Sequence, residues 1–175
     1  MHLKYNTMDN TISLSNTNKN KIPKLIFSLV LPLAIGGVSS YLVRNEMNGE
    51  WFTSLMKPSF NPPGYLFGPV WTALYILMGI SMFLIWNTPK TDLRQKALIV
   101  FAVQLFFNFW WSILFFSFHT IFLSVVDILL MWFLIIYMII LFEKIKPTAA
   151  YIQIPYLLWV TFASVLDISI WYLNR

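Results

Sequence analysis

The sequence predicts an all-α integral membrane protein, a bundle of five transmembrane helices. Composition is the first reason: 58% of the 175 residues are hydrophobic and 11% are charged, whereas soluble domains have about 45–50% and about 25%. The second reason is a set of five apolar stretches of about 20 residues, the length that spans a bilayer as a helix. The third is that the basic residues cluster between these stretches and form no stripe. These features exclude a disordered chain, a disulfide-rich secreted domain and a nucleic-acid reader.

The chain divides into a polar tail and one membrane domain. Residues 1–24 are rich in Asn, Thr, Ser and Lys and contain no apolar run, so we expect a disordered tail. Residues 25–175 form the transmembrane domain, in which only His119 and Thr120 separate the third and fourth spans. Those two helices must therefore form a tight antiparallel hairpin. The predicted spans are 25–43, 67–86, 97–118, 121–142 and 151–173.

Two prolines lie within the predicted spans. Pro32 predicts a kink in the first helix. Pro155 lies near the start of the fifth span and is either a first-turn proline or a kink. The first helix also carries a small-residue face suited to close packing, formed by Gly36, Gly37, Ser39 and Ser40.

The placement of Lys and Arg predicts the orientation in the membrane. Basic residues are enriched on the cytoplasmic side of membrane proteins. One side carries Lys4, Lys19, Lys21, Lys24, Lys90, Arg94, Lys96, Lys144 and Lys146, and the other carries Arg44, Lys57 and Arg175. We therefore expect a cytoplasmic N-terminus and an external C-terminus, in a bacterial plasma membrane.

Residues 44–66 form a loop that is long for a compact protein, which indicates a function. Asn48 or Gly49 is placed to cap a short helix that ends before Pro58, with Trp51 and Leu55 on one face. The loop is either a lid over the outer end of the bundle or an aromatic belt at the membrane interface. Its other aromatic and proline residues are Phe52, Phe60, Tyr65, Pro62 and Pro63.

Three spans each carry a stripe of aromatic and polar residues at helical spacing. Indole N–H and amide groups need partners in lipid, so these stripes should face the bundle interior. There they form either a packed core or an apolar cavity with a few polar groups, the usual form of a small-molecule site. The stripes are Trp71, Tyr75, Met78 and Met82; Gln104, Asn108, Trp111 and Phe115; and Trp159, Ala163 and Asp167.

Few groups in the spans can carry conventional catalysis. The ionisable residues there are Asp127 and Asp167, both near the outer ends of their helices and able to approach one another. The chain has no cysteine, and its two histidines, His2 and His119, lie outside the spans. No metal site is expected, and a haem in the bundle would lack its commonest axial ligand. A flat tetrapyrrole stacked on aromatic rings needs no such ligand.

The sequence resembles the tryptophan-rich sensory protein family, also called the translocator protein, peripheral benzodiazepine receptor or TspO/MBR family. The match runs from about residue 25 to the C-terminus, in order and with the family's spacing. Four blocks carry it: Trp51-Phe52-x-x-Leu55-x-Lys57-Pro58-Ser59-Phe60-x-Pro62-Pro63; Pro69-Val70-Trp71-Thr72-x-Leu74-Tyr75-x-x-Met78-Gly79; Gln104-Leu105-x-x-Asn108-x-x-Trp111-x-x-x-Phe115-Phe116; and Pro155-Tyr156-x-x-Trp159-x-x-x-Ala163.

This resemblance implies a five-helix bundle, often a homodimer, with a pocket under the first loop. It implies binding of porphyrins and haem-related tetrapyrroles and of isoquinoline and benzodiazepine-type ligands, and in some members of sterols. No cofactor is required, porphyrin or haem being the expected ligand. In some bacterial members it also implies light-dependent porphyrin breakdown, and Trp71 and Trp159 match the tryptophans linked to it.

Carried over by position, the resemblance implies a ligand-lining set from the loop and three helices. The chain departs from the family at Phe52, where a Tyr is frequent, and at Asp167, where an Asn is frequent. The set is Trp51, Phe52, Pro62, Trp71, Tyr75, Asn108, Trp111, Trp159 and Ala163, to which the stripe on the fifth span adds Asp167.

The leading functional prediction is a tetrapyrrole-binding membrane sensor or regulator. The alternative is a transporter of sterols, lipids or other amphipathic molecules, although no inverted repeat is visible in the sequence. An enzymatic role is limited to photo-oxidative breakdown of bound porphyrin, because no acid, base and nucleophile are placed together. A scaffold whose aromatic stripes only pack helices is the fourth alternative.

Overall fold

A computed structural model describes residues 21–175, and five of its helical segments are long and apolar enough to cross a membrane. No strand occurs in this part of the chain. The predicted fold class, a five-helix transmembrane bundle, is confirmed. The helices are α1 Lys21–Val43, α2 Glu50–Ser54, α3 Phe67–Trp86, α4 Asp92–Ser112, α5 Ile121–Ile145, α6 Pro147–Tyr151 and α7 Ile154–Leu173.

Two helices begin earlier than predicted. Helix α1 starts at Lys21, so residues 21–24 are helical, whereas the sequence predicted that they belong to the tail. Pro23 lies in its first turn, where proline is tolerated because no N–H is needed there. Helix α4 starts at Asp92, five residues before its predicted span, and Thr91 caps it by accepting the backbone N–H of Arg94 at 3.1 Å. The rest of the predicted tail, residues 1–20, lies outside the described residues.

The hairpin between α4 and α5 is tight, as predicted, with a link of three residues, 118–120, instead of two. Helix α4 continues into one wider turn of π-helix, Ile113–Ser117, and α5 begins at Ile121. His119 turns the chain with a φ of 55°, in the left-handed region. Thr120 closes the turn by donating its N–H and its hydroxyl to the carbonyl of Leu114, each at 3.0 Å.

Of the two alternatives for Pro155, a first-turn proline or a kink, the structure has the first. Helix α6 ends at Tyr151, and α7 begins at Ile154 with Pro155 in its first turn. Pro155 is therefore a first-turn proline. Pro32, in contrast, is buried inside α1, which is continuous from Lys21 to Val43.

The main hydrophobic core fills the end of the bundle away from the 44–66 loop, here called the core end. Side chains from α3, α4, α5, α6 and α7 meet there, with residues such as Met78, Ile85, Phe101, Met138 and Phe142 almost completely buried. Helix α1 packs against α3 and α4, α4 against α5, and α5 against α7, while α3 and α7 have few contacts. Helices α3 and α7 are therefore the least closely packed of these pairs.

Candidate ligand-binding site

The 44–66 loop folds over the other end of the bundle, here called the cavity end. It contains the predicted short helix, α2, with Gly49 at its N-cap and Leu55 at its C-cap, before Pro58. The side chains of Trp51, Phe52 and Leu55 pack against a second apolar cluster. That cluster consists of Val43, Ile113, Phe115, Phe116, Leu166 and Ile170.

Two sets of contacts attach the loop to the helix ends. At one side Glu46 Oε2 lies 3.7 Å from His119 Nε2, and the Trp51 ring stacks on the His119 ring at 4.1 Å. At the other side Asn174 accepts the Met56 N–H at 3.0 Å and donates to the Met56 carbonyl at 2.9 Å. The loop is thus held at the α4–α5 hairpin and at the end of α7, which is the geometry of a cover, whereas its role as a lid stays a prediction.

A cavity of about 680 Å³ lies beneath this loop, between α1, α3, α4 and α7. It falls in the range of about 300–1,000 Å³ that is usual for small-molecule sites. Most of the predicted ligand-binding residues line it, which brings the loop and the three predicted stripes together. These lining residues are Phe52, Pro62, Trp71, Tyr75, Asn108, Trp111, Ala163 and Asp167.

Trp51 and Trp159, also predicted as lining residues, do not form the lining. The His119 ring covers one face of the Trp51 ring, and Trp51 also packs edge-on against Phe115 at 5.6 Å. Trp159 packs edge-on against Phe67, which does line the cavity, at 5.8 Å. Its indole Nε1 is buried without a hydrogen-bond partner among residues 21–175. Trp159 therefore supports the wall from behind.

A chain of hydrogen bonds begins at Tyr75 and Asn108, which form the polar floor of the cavity, and continues into the bundle behind it. The Tyr75 hydroxyl donates to Asn108 Oδ1 at 2.7 Å, and Asn108 Nδ2 donates to the Tyr156 hydroxyl at 3.2 Å. The Tyr156 hydroxyl in turn donates to Gln104 Oε1 at 2.8 Å. The chain links four polar side chains from three helices and fixes the orientation of the Asn108 amide, while Gln104 Nε2 has no partner within residues 21–175.

Tyr156, which was not among the predicted site residues, lies behind the cavity lining and supports it. It is completely buried, and it connects α7 to the amide groups of α4. The signal that was available is its spacing: Tyr156 lies seven residues before Ala163, two helical turns along the same face.

Asp167 forms a second polar group, nearer the loop than Asn108. Its Oδ2 accepts the indole N–H of Trp111 at 3.1 Å, and its Oδ1 accepts the hydroxyl of Ser124 at 3.2 Å. Asp127 is also buried, but it is not a lining residue, and its Oδ2 has no partner in the described part of the chain. Asp167 is therefore the acidic side chain of the cavity lining.

Helix α1 contributes a wall that the predicted set did not include. The backbone of Gly36 lies so close to the Tyr75 ring that a Cβ there would overlap it, whereas a Cβ on Gly37 would meet nothing within 4 Å. Ser39 also lines the cavity and is hydrogen-bonded to Ser112 on α4. The small-residue face of α1 thus packs against α3 at one position and borders open space at the next.

The comparisons with known proteins agree with this architecture. The sequence profile of the TspO/MBR family matches residues 28–173. The tryptophan-rich protein TspO of Chlorobaculum tepidum is 36% identical over 155 residues, which cover 88% of this chain and 98% of that protein. The protein of the same name from Archaeoglobus fulgidus is 39% identical over 154 residues (87% and 98%). The human translocator protein is 31% identical over 153 residues (86% and 89%). The chain therefore belongs to the TspO/MBR family of integral membrane proteins.

Proposed function

We propose that this chain is a membrane sensor or regulator that binds a tetrapyrrole, a porphyrin or haem, in the cavity under the 44–66 loop. One observation carries the proposal: a cavity of about 680 Å³ with aromatic walls and a polar floor, covered by a loop that is attached at both sides. A cavity of this form suits a flat, largely apolar ligand with a few polar atoms.

The aromatic rings of the wall supply stacking surfaces. Trp71 and Tyr75 stack with ring centroids 5.5 Å apart and planes at 27°, and Trp111 and Phe115 stack at 5.8 Å and 21°. Offset stacking of this kind extends readily to another flat ring system. The amide of Asn108 and the carboxyl group of Asp167 supply polar groups for the few polar atoms of such a ligand. Isoquinoline and benzodiazepine-type compounds are flat and apolar enough to use the same surfaces.

The test is a titration of the purified, detergent-solubilised protein with protoporphyrin in the dark, followed by Trp fluorescence and porphyrin absorbance. Saturable quenching at one porphyrin per cavity is the expected result. Quenching that rises linearly, or that persists after heat denaturation, would indicate partition into detergent and would contradict the proposal. The outcome would then favour a sterol, another lipid or a protein partner.

Light-dependent breakdown of the bound porphyrin is a second proposal, supported by the position of Trp71 in the lining. Porphyrin excited by light transfers energy to dissolved oxygen, and the oxidised products form where the ring is held. The expected result is a defined product under light and in air, and none in the dark or without oxygen. Equal loss of porphyrin with the denatured protein would reduce the effect to ordinary photobleaching.

Transport of sterols, lipids or other amphipathic molecules is the alternative, and the exposure of several lining residues favours it. Gly37 and Ser40 on α1 and Gly68 and Thr72 on α3 line the cavity and are also exposed on the surface of the bundle. The cavity therefore reaches the lipid-facing surface. Saturable uptake of a porphyrin or sterol into proteoliposomes would support transport, and binding without uptake would support the sensor.

We also propose that the cavity end faces the outside of a bacterial plasma membrane, since the cytoplasmic excess of Lys and Arg lies at the other end. The chain has no cysteine, so single cysteines can be introduced without background. A membrane-impermeant maleimide on intact cells should label Ser59→Cys and not Lys90→Cys. We also propose the homodimer that the resemblance to the family implies, and chemical cross-linking in the same membranes tests it.

A further inference from the structure

Two basic side chains stand at the mouth of the cavity. Arg44 directly follows α1, and Lys57 lies in the extended segment after α2; both line the cavity. The Arg44 guanidinium lies 4.0 Å from the centre of the Tyr41 ring, and Lys57 Nζ lies 3.9 Å from the centre of the Phe52 ring. These cation–π contacts restrict the two side chains to the rim.

Neither of these cations has an acidic partner within residues 21–175. The ion pair in this part of the chain joins Glu46 to His119. The acidic group in the cavity lining is Asp167, which is buried in the α7 wall and already accepts Trp111 and Ser124. The cavity is thus basic at its mouth and has acceptor oxygens on its buried walls.

We propose that Arg44 and Lys57 form an anion subsite that binds the carboxylate groups of an amphipathic ligand whose apolar body lies among the aromatic rings. The subsite rests on the proposed function, because it uses the same cavity. It sets both the ligand class and the orientation: the acidic groups lie at the mouth, and the apolar body lies among the aromatic rings. The acceptor oxygens of Asn108 and Asp167 on the buried walls disfavour the reverse orientation, which would bring carboxylates next to them. The cavity therefore selects an apolar acid over a neutral ester or a sterol of similar size.

The experiment compares protoporphyrin, which carries two carboxylates, with its dimethyl ester, which carries none. Both are titrated into wild-type protein and the double variant Arg44→Gln/Lys57→Gln in nanodiscs of zwitterionic lipid. Two charge-assisted contacts at a half-exposed rim should make the double variant bind the acid about tenfold more weakly. Binding of the ester should stay within about twofold, which also shows that the variant is folded. The affinity of each ligand is compared only between wild-type and variant protein, so the different partitioning of acid and ester into lipid does not affect the result.

Arg175→Gln is the matched control. Arg175 lies at the same end of the bundle, over the rings of Trp171 and Tyr172, but it does not line the cavity. Its loss should leave binding of the acid unchanged. Equal weakening by Arg175→Gln and by the double variant would indicate a general surface charge effect and overturn the subsite.

Three further outcomes are decisive. If the double substitution changes the affinity for the acid and the affinity for the ester by the same factor, the proposed subsite is wrong, while the proposal of porphyrin binding stands. If neither compound binds wild-type protein saturably, the proposed function fails and the subsite with it. If the effect of the double variant appears only after anionic phosphatidylglycerol is added to the nanodiscs, the anion is a lipid headgroup and the assignment to a cavity ligand is overturned.

Discussion

The core end and the cavity end are built from similar apolar residues but pack differently. At the core end α1 and α3 approach so closely at Gly79 that a Cβ there would lie 2.7 Å from the carbonyl oxygen of Ser28. At the cavity end a Cβ on Gly37 or Gly68 would meet nothing within 4 Å. Glycine in a transmembrane helix therefore marks close packing only where the facing helix comes near, through its backbone at Gly79 or through the Tyr75 ring at Gly36.

Side-chain rigidity explains the second difference. At the core end flexible methionines, including Met78, Met131 and Met138, fill the irregular gaps around the stacked rings of Phe101 and Phe142. The cavity end is walled by rigid rings that stack in pairs, such as Trp71 on Tyr75. Rings that pack on each other cannot also fill the space between α3 and α7. The cavity is thus a consequence of where the aromatic residues lie.

The largest effect is expected from adding one methyl group at each end. Gly79→Ala should lower stability by about 2–3 kcal/mol, because the new Cβ overlaps the backbone of α1. Gly37→Ala adds the same group in open space and should be neutral or stabilising by up to about 1 kcal/mol through helix propensity. Thermal unfolding in detergent measures both. Equal loss of stability would show that the two ends pack alike.

The second-largest effect is expected on ligand binding at the aromatic wall of the cavity. Trp71→Ala removes a stacking surface and should weaken porphyrin binding by about 2 kcal/mol, or about thirtyfold. Trp132→Ala is the control, because Trp132 lies outside the lining and bonds Thr161 at 2.8 Å. Fluorescence titration gives both affinities. Unchanged binding in Trp71→Ala would place the ligand elsewhere.

The architecture was predictable from the sequence because it depends on local properties. Apolar length gave the five spans, and the two residues between the third and fourth spans gave the hairpin. The errors lie at helix ends, where α1 and α4 extend beyond the apolar stretch at Lys21 and Asp92. A span in lipid and the helix that contains it differ by the turns that project into water, which hydropathy does not record.

The site was predictable in part, for a reason that the tryptophans illustrate. Helical spacing places Trp159, Ala163 and Asp167 on one stripe, yet Ala163 and Asp167 line the cavity and Trp159 does not. A step of four residues turns a helix by about 40° beyond one full turn, so the end of a stripe faces a neighbouring side chain. Which neighbour it meets, here Phe67, depends on the packing of α3 against α7. That packing is not encoded in the spacing along one helix.

A smaller effect is expected at the attachment of the loop to α7. Asn174→Ala removes both hydrogen bonds to Met56. At this exposed position their loss should weaken the attachment of the loop by about 1 kcal/mol. If the loop closes the cavity, bound porphyrin should dissociate about fivefold faster, with little change in unfolding temperature. Asn174→Asp is the control that keeps the acceptor for the Met56 N–H. Stopped-flow displacement measures the rates, and equal rates in all three proteins would contradict the lid.

The smallest effect separates the lining from its support. Trp159→Phe removes a buried indole N–H that has no partner in the described chain, and this removal stabilises the folded protein. The gain offsets the small loss of packing that comes with the smaller ring. Porphyrin affinity and unfolding temperature should therefore change by less than about 0.5 kcal/mol. Trp71→Phe, at a residue in the lining, should weaken binding several-fold more than Trp159→Phe, since it exchanges a large stacking surface for a smaller one. A larger loss of affinity in Trp159→Phe would mean that the ligand displaces Phe67 and contacts Trp159 directly, as the resemblance to the family implies.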